Sequence, residues 1–138
     1  MILGIGVDIT SVSRIEHLWQ EFGDRFFEKF FTKNENEKAM KIKVEQDNFL
    51  PRLAYYAKRF AAKEAFSKAC GIGIGRGINF CDIEVNNDEL GKPFIAILNQ
   101  KIDFLHQHFR AEKLSFHLSL SDEMPIAQAF VIIESMDK

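Results

Sequence analysis

The hydrophobic pattern of this chain changes its period near residue 71, and no other feature constrains the fold as strongly. From Val12 to Cys70 apolar residues recur at helical spacing, whereas beyond the glycines of GIGIGRG they alternate at a period of two. Helices first and strands last predict an α+β domain, with helices packed on a small, mainly antiparallel sheet. The 138 residues contain no repeat, linker or low-complexity stretch, so a single domain over residues 1–138 is expected.

Along the chain, Met1 to Val7 suits a buried strand ending at Asp8. Thr10, Ser11 and Ser13 offer caps for a first helix, and Ser13 with Glu16 has capping-box spacing. Its apolar face is Val12, Ile15, Leu18, Trp19 and Phe22, and it runs to about Gly23. A short helix from near Asp24 carries Phe26, Phe27 and Phe30. Thr32 with Glu35 opens a polar helix through Lys43, and Glu45 to Asn48 reads as a loop. Pro51 suits the first turn of the longest helix, Arg52 to Cys70, which Gly71 stops. Ile83–Asn86, Phe94–Leu98, Phe116–Leu120 and Ala127–Glu134 read as strands, with a helix over Asn99 to Phe109 inserted among them.

Fourteen phenylalanines are more than an ordinary core of this size demands, and five cluster at Phe22, Phe26, Phe27, Phe30 and Phe31. Most must be core, and a remainder would form an apolar patch able to drive subunit association. The net charge of −2 supplies no global basic field for nucleic acid or anionic lipid, so neither is expected as a partner. Cys70 and Cys81 make no CxxC pair or disulfide framework and read as small buried residues of a reducing compartment. No basic region precedes the apolar N-terminus, and Asp8 interrupts it, so neither a signal peptide nor a membrane span is expected. A cytoplasmic location is the expectation.

Asp8 follows an apolar strand, where it either caps the first helix or marks a site. Glu64 and Lys68 are four apart on the long helix, within RFAAKEAFSKA, so they are either a solvated ion pair or functional charges on a half-buried face. GIGIGRG matches neither GxGxxG nor the P-loop, and it follows the negative end of its helix. It is a plain loop or a set of backbone donors aided by Arg76. His117 points away from Phe116 and Leu118 on its strand, and His106 and His108, two apart on a helix, cannot pair on zinc.

Taken together, GIGVDITSVSRIE, RFAAKEAFSKACGIGIGRG, DELGKP and FHLSLSDE resemble the holo-acyl-carrier-protein synthases along nearly the whole chain. The specific matches are Gly6, Asp8 and Arg14 in the opening motif, and the run from Phe60 to Ala69. The resemblance implies a 4'-phosphopantetheinyl transferase-like fold. It also implies transfer of 4'-phosphopantetheine from coenzyme A to a serine of acyl carrier protein, in fatty acid biosynthesis. Asp8 and Glu64 would hold Mg²⁺ on the coenzyme A pyrophosphate, Lys68 would offset phosphate charge, and Glu64, directly or through a metal-bound water, would take the serine proton. Lys68, Gly71, Gly73 and His117 would bind coenzyme A, and Arg14 with Arg25 would meet the acidic carrier protein. The family's active site lies between subunits of a homotrimer. Where many relatives carry a second histidine, this chain has Asp122. Two rivals are a metal-dependent phosphoesterase using Asp8 and Glu64, and a non-catalytic module binding nucleotide or carrier protein.

Overall fold

A computed structural model describes all residues from 1 to 138. Its elements in chain order are β1 (Ile2–Ser11), α1 (Val12–Phe22), α2 (Arg25–Phe30), α3 (Lys33–Met40), α4 (Leu50–Cys70), β2 (Ile83–Asn87), β3 (Pro93–Ile97), α5 (Lys101–Phe109), β4 (Leu114–Glu123) and β5 (Ile126–Ser135). A single 3-10 turn, Phe80–Asp82, precedes β2. The strands form a three-stranded sheet in the order β1-β5-β4 and a separate β2-β3 hairpin, antiparallel throughout.

The opening strand is longer than its apolar run indicates. It continues to Ser11, because every residue from Gly4 to Ser11 pairs with β5, and Asp8 lies opposite Ala129 inside the ladder. Ser11, rather than Ser13, caps α1 by accepting the Arg14 N–H at 3.2 Å. The expected Thr32–Glu35 capping box is present, but α3 stops at Met40 rather than Lys43. The long helix has its proline in the first turn and ends on Gly71 at φ 73°, a left-handed conformation that glycine adopts without a Cβ clash.

The inner face of the sheet packs on α4 through Ala127, Ala129, Val131 and Ile133 of β5. Helix α4 answers with Ala61, Ala62, Ala65, Phe66 and Ala69. Small residues on both sides bring β1 against the helix backbone. A Cβ on Gly6 would stand 1.9 Å from the Ala65 carbonyl oxygen, and one on Gly4 would stand 1.8 Å from that of Ala69.

A second core holds most of the clustered phenylalanines. Phe26 and Phe31 are buried, and Phe27 and Phe30 pack with them around Tyr56 and Phe60. Phe27 stacks on Tyr56 at 4.4 Å and Phe60 on Phe80 at 5.4 Å. The cluster is therefore core rather than surplus, and Phe22 alone of the five is strongly exposed. Exposed apolar surface lies elsewhere, on the outer face of the sheet at Ile5, Val7, Ile9 and Phe130.

Candidate active site

Alternation along β1 turns Gly6, Asp8 and Thr10 inward toward α4 and leaves Ile5, Val7 and Ile9 outward. Asp8 thus becomes a 9% exposed carboxylate facing a helix. Its Oδ2 accepts the Thr10 hydroxyl at 3.0 Å, and its Oδ1 accepts Lys68 Nζ at 3.0 Å. Lys68 also donates to the Val7 carbonyl at 3.0 Å. Asp8 does not cap α1, a possibility the sequence left open, because the strand register holds it three residues before the cap.

Glu64 lies one turn before Lys68 on α4. Burial raises its pKa above the ordinary glutamate value, and the Asp8 charge raises it further, against the opposing pull of Arg14 and Lys68. Two like charges sharing a half-buried site destabilise ionisation in this way. Arg14 comes close because α1 leans on α4, with its guanidinium 5.0 Å over the Phe60 ring, one turn before Glu64. The fold therefore brings Asp8, Glu64, Lys68 and Arg14 together.

Other expected residues lie apart. His117 sits on the outer sheet face opposite Ile132, with Nε2 3.2 Å from Glu134 Oε1, so within one chain it cannot reach Asp8. Gly71 and Gly73 follow α4 directly, and added methyl groups there would meet nothing within 4 Å. Arg25 lines a cavity of about 460 Å³ with Phe22, Lys29 and Phe30. Asp122, near the end of β4, lies 4.0 Å from Lys58.

Two buried cations were not singled out by the sequence reading. Lys63, fully buried, donates to Glu35 at 2.6 Å, to the Phe30 carbonyl at 3.0 Å and to the Phe80 carbonyl at 2.9 Å. Burial lowers its pKa, with Glu35 pulling the other way. Glu35 also accepts the backbone N–H groups of Thr32 and Val85, both at 2.9 Å, so the pair ties α3, α4 and β2 together. Arg59 stacks 4.0 Å from Tyr55 and donates to Asn87, yet its Nε and the Tyr55 hydroxyl have no partner. The available signal was position: both cations interrupt the apolar stripe that continues through Ala62 and Phe66.

Nowhere do three or more His, Cys, Asp or Glu side chains converge as an all-protein metal cage. Asp8 and Glu64 are two carboxylates near enough for the charge of Asp8 to raise the pKa of Glu64. That donor set fits Mg²⁺, which commonly takes one or two carboxylates and completes its shell with waters and substrate phosphate.

Comparison with known proteins gives the family. The family model of the 4'-phosphopantetheinyl transferase superfamily matches residues 4–129. The chain is 44% identical over 133 residues to the holo-[acyl-carrier-protein] synthase of Ehrlichia chaffeensis, covering 96% of this chain and 97% of that one. It is 41% identical to that of Bartonella bacilliformis, covering 100% and 99%. Among solved structures, the Neisseria meningitidis holo-[acyl-carrier-protein] synthase superposes with a TM-score of 0.82 at 36% identity, covering 98% of this chain and 100% of that one. The Bacillus anthracis enzyme, crystallised in complex with CoA (3',5'-ADP), gives 0.77 at 38% identity, covering 98% of each chain. A family match across most of the chain, joined to relatives above 40% identity along nearly all of it, means that this chain belongs to the 4'-phosphopantetheinyl transferase superfamily, among the holo-[acyl-carrier-protein] synthases.

Proposed function

We propose that the cluster of Asp8, Glu64 and Lys68 carries the transfer of 4'-phosphopantetheine from coenzyme A to a serine of an apo-acyl carrier protein. The observation that carries this reading is the juxtaposition of an inward strand carboxylate with a lysine and a base-like glutamate one helical turn apart. Coenzyme A is the donor substrate. The reaction joins the serine oxygen to the phosphorus next to pantetheine and breaks that phosphorus–oxygen bond to adenosine 3',5'-bisphosphate.

Each side chain has a task that its setting favours. Glu64, held above the usual glutamate range by burial and by Asp8, is tuned toward accepting the serine proton. Lys68 is half exposed, already oriented by Asp8 and the Val7 carbonyl, and can turn its remaining N–H toward a phosphate oxygen. Asp8 and Glu64 would hold Mg²⁺, whose chemistry when bound is to neutralise pyrophosphate charge. The open glycines Gly71 and Gly73 leave room for the nucleotide end of coenzyme A.

His117 fits this scheme only if a second copy completes the site. The outer sheet face carries His117 together with exposed Ile5, Val7, Ile9 and Phe130, an apolar surface suited to subunit packing. That supports a homotrimer in which His117 of one subunit serves the nucleotide held by the next. Arg14 beside Glu64, with Arg25 and Lys29 farther along the helical face, supplies a local basic stripe for an acidic carrier protein. No helix is long and apolar enough to cross a membrane. The acyl carrier protein substrate is what favours a role in fatty acid biosynthesis.

Intact-mass spectrometry of an apo-acyl carrier protein incubated with the chain, coenzyme A and Mg²⁺ tests the reading. A gain of one phosphopantetheine is expected, lost with a chelator and lost in Glu64→Gln. Unchanged transfer by Glu64→Gln would remove Glu64 from the chemistry. A substitution of Phe130 by Asp is expected to dissociate the assembly in light scattering and abolish transfer. A fully active monomer would remove the shared site.

A further inference from the structure

The Trp19 side of α1 borders two adjoining cavities that the transfer reaction leaves without a role. One, of about 380 Å³, is walled by the rings of Trp19, Phe27, Phe49 and Tyr56, with Asp24 and Glu28 among its lining. The other, of about 490 Å³, shares Trp19 and Phe49 and adds Glu16 and Asp47. Trp19 meets Phe49 edge to face at 5.3 Å and Phe27 at 5.5 Å. Asp24 Oδ1 accepts the Trp19 indole N–H at 3.0 Å, fixing the ring beside a carboxylate.

The charge balance selects the occupant. Four carboxylates, those of Glu16, Asp24, Glu28 and Asp47, border the pair of cavities. The one cation among them, Arg52, donates its Nε and Nη2 to the carbonyls of Ala39, Met40 and Ile42. An anion is repelled here, and an uncharged apolar ligand would strip water from the carboxylates without replacing it. Aromatic faces attract ammonium groups and cover methylene chains, and carboxylates on either side of the Trp19–Phe49 wall suit charges spaced along one chain.

We propose that these paired cavities bind an aliphatic polyamine, with its methylenes on the Trp19 and Phe49 rings and its ammonium groups on the four carboxylates. The site rests on none of the residues assigned to transfer and stands independently of that reading.

Trp19 is the only tryptophan in the chain, so its emission reports the site. The test titrates the full chain with spermidine at constant ionic strength, following emission and heat of binding. A saturable one-site response is expected, with half-saturation at or below about 1 mM from a few cation–ring and ion-pair contacts. The triple variant Glu16→Gln, Glu28→Gln, Asp47→Asn changes only exposed side chains, and asparagine tolerates the φ of 57° at Asp47. It leaves Asp24 in place to hold Trp19, and is expected to weaken binding roughly tenfold with an unchanged melting temperature. Three results overturn the proposal: no saturable response to spermidine, an equal response to sodium or magnesium chloride at matched ionic strength, or undiminished binding by the triple variant.

Discussion

Replacing Gly6 by alanine tests whether the approach of β1 to α4 builds the site. The new methyl carbon would lie 1.9 Å from the Ala65 carbonyl oxygen, 2.8 Å from the Ala69 nitrogen and 2.9 Å from the Ala65 carbonyl carbon. All three are helix backbone, so no side chain can swing aside. Reaching ordinary contact, which begins at 3.4 Å, requires strand and helix to separate by about 1.5 Å. Overpacking of this kind costs roughly 1–3 kcal/mol or more. With an unfolding entropy of about 2.1 cal/mol/K per residue, that lowers the melting temperature by roughly 3–10 °C for a chain of this length. The same displacement acts two residues from Asp8, whose 3.0 Å bond to Lys68 spans the gap. A misplacement near 1 Å costs on the order of 100-fold in rate. Calorimetry and the mass-spectrometric transfer assay measure the two effects on one preparation. Gly73→Ala is the comparison, since its methyl group meets nothing within 4 Å and its φ is not left-handed, so its melting temperature should match the parent. A Gly6→Ala protein that melts within a degree of the parent and transfers at the parental rate would refute the reasoning.

Three further outcomes follow from the geometry. Glu64 has a folded-state pKa above the ordinary glutamate value of 4.5, so the folded chain retains this proton to higher pH than the unfolded one. Its ionisation therefore costs stability progressively as pH rises from about 4.5 through the raised folded value. In a chelator, Glu64→Gln should melt higher than the parent at pH 7.5 and equally below pH 4.5, and equal melting at both pH values would contradict the shift. Lys63→Met leaves the Glu35 carboxylate buried without its cation and should cost about 3–5 kcal/mol in urea unfolding, much of it recovered when Glu35→Gln is added. A loss under 1 kcal/mol would show that the pair is not what ties α3 and β2 to α4. Arg14→Ala should raise the KM for the carrier protein roughly 3- to 30-fold while leaving coenzyme A affinity unchanged, measured by steady-state kinetics and calorimetry. Collapse of coenzyme A binding instead would end the docking role.

The sequence by itself determined what is local. The change of period fixed the order of helices and strands, the Thr32–Glu35 box and Gly71 marked helix boundaries, and four-residue spacing placed Glu64 and Lys68 on one face. These depend on backbone geometry over a few residues, and a chain carries that information without its fold. The motifs around Asp8 and Glu64 also carried the family resemblance, although they could not show what Asp8 touches.

Tertiary structure decided which faces meet. It turned Asp8 toward Lys68 by extending β1 to Ser11, and placed the Phe26–Phe31 cluster in a second core instead of at a subunit surface. It buried Lys63 against Glu35 and sent His117 to the sheet face opposite α4. Alternation tells which residues of a strand share a face, but only packing decides which face is covered. Burial then shifts the charges on it, which is why the raised pKa of Glu64 depends on α4, β1 and α1 together.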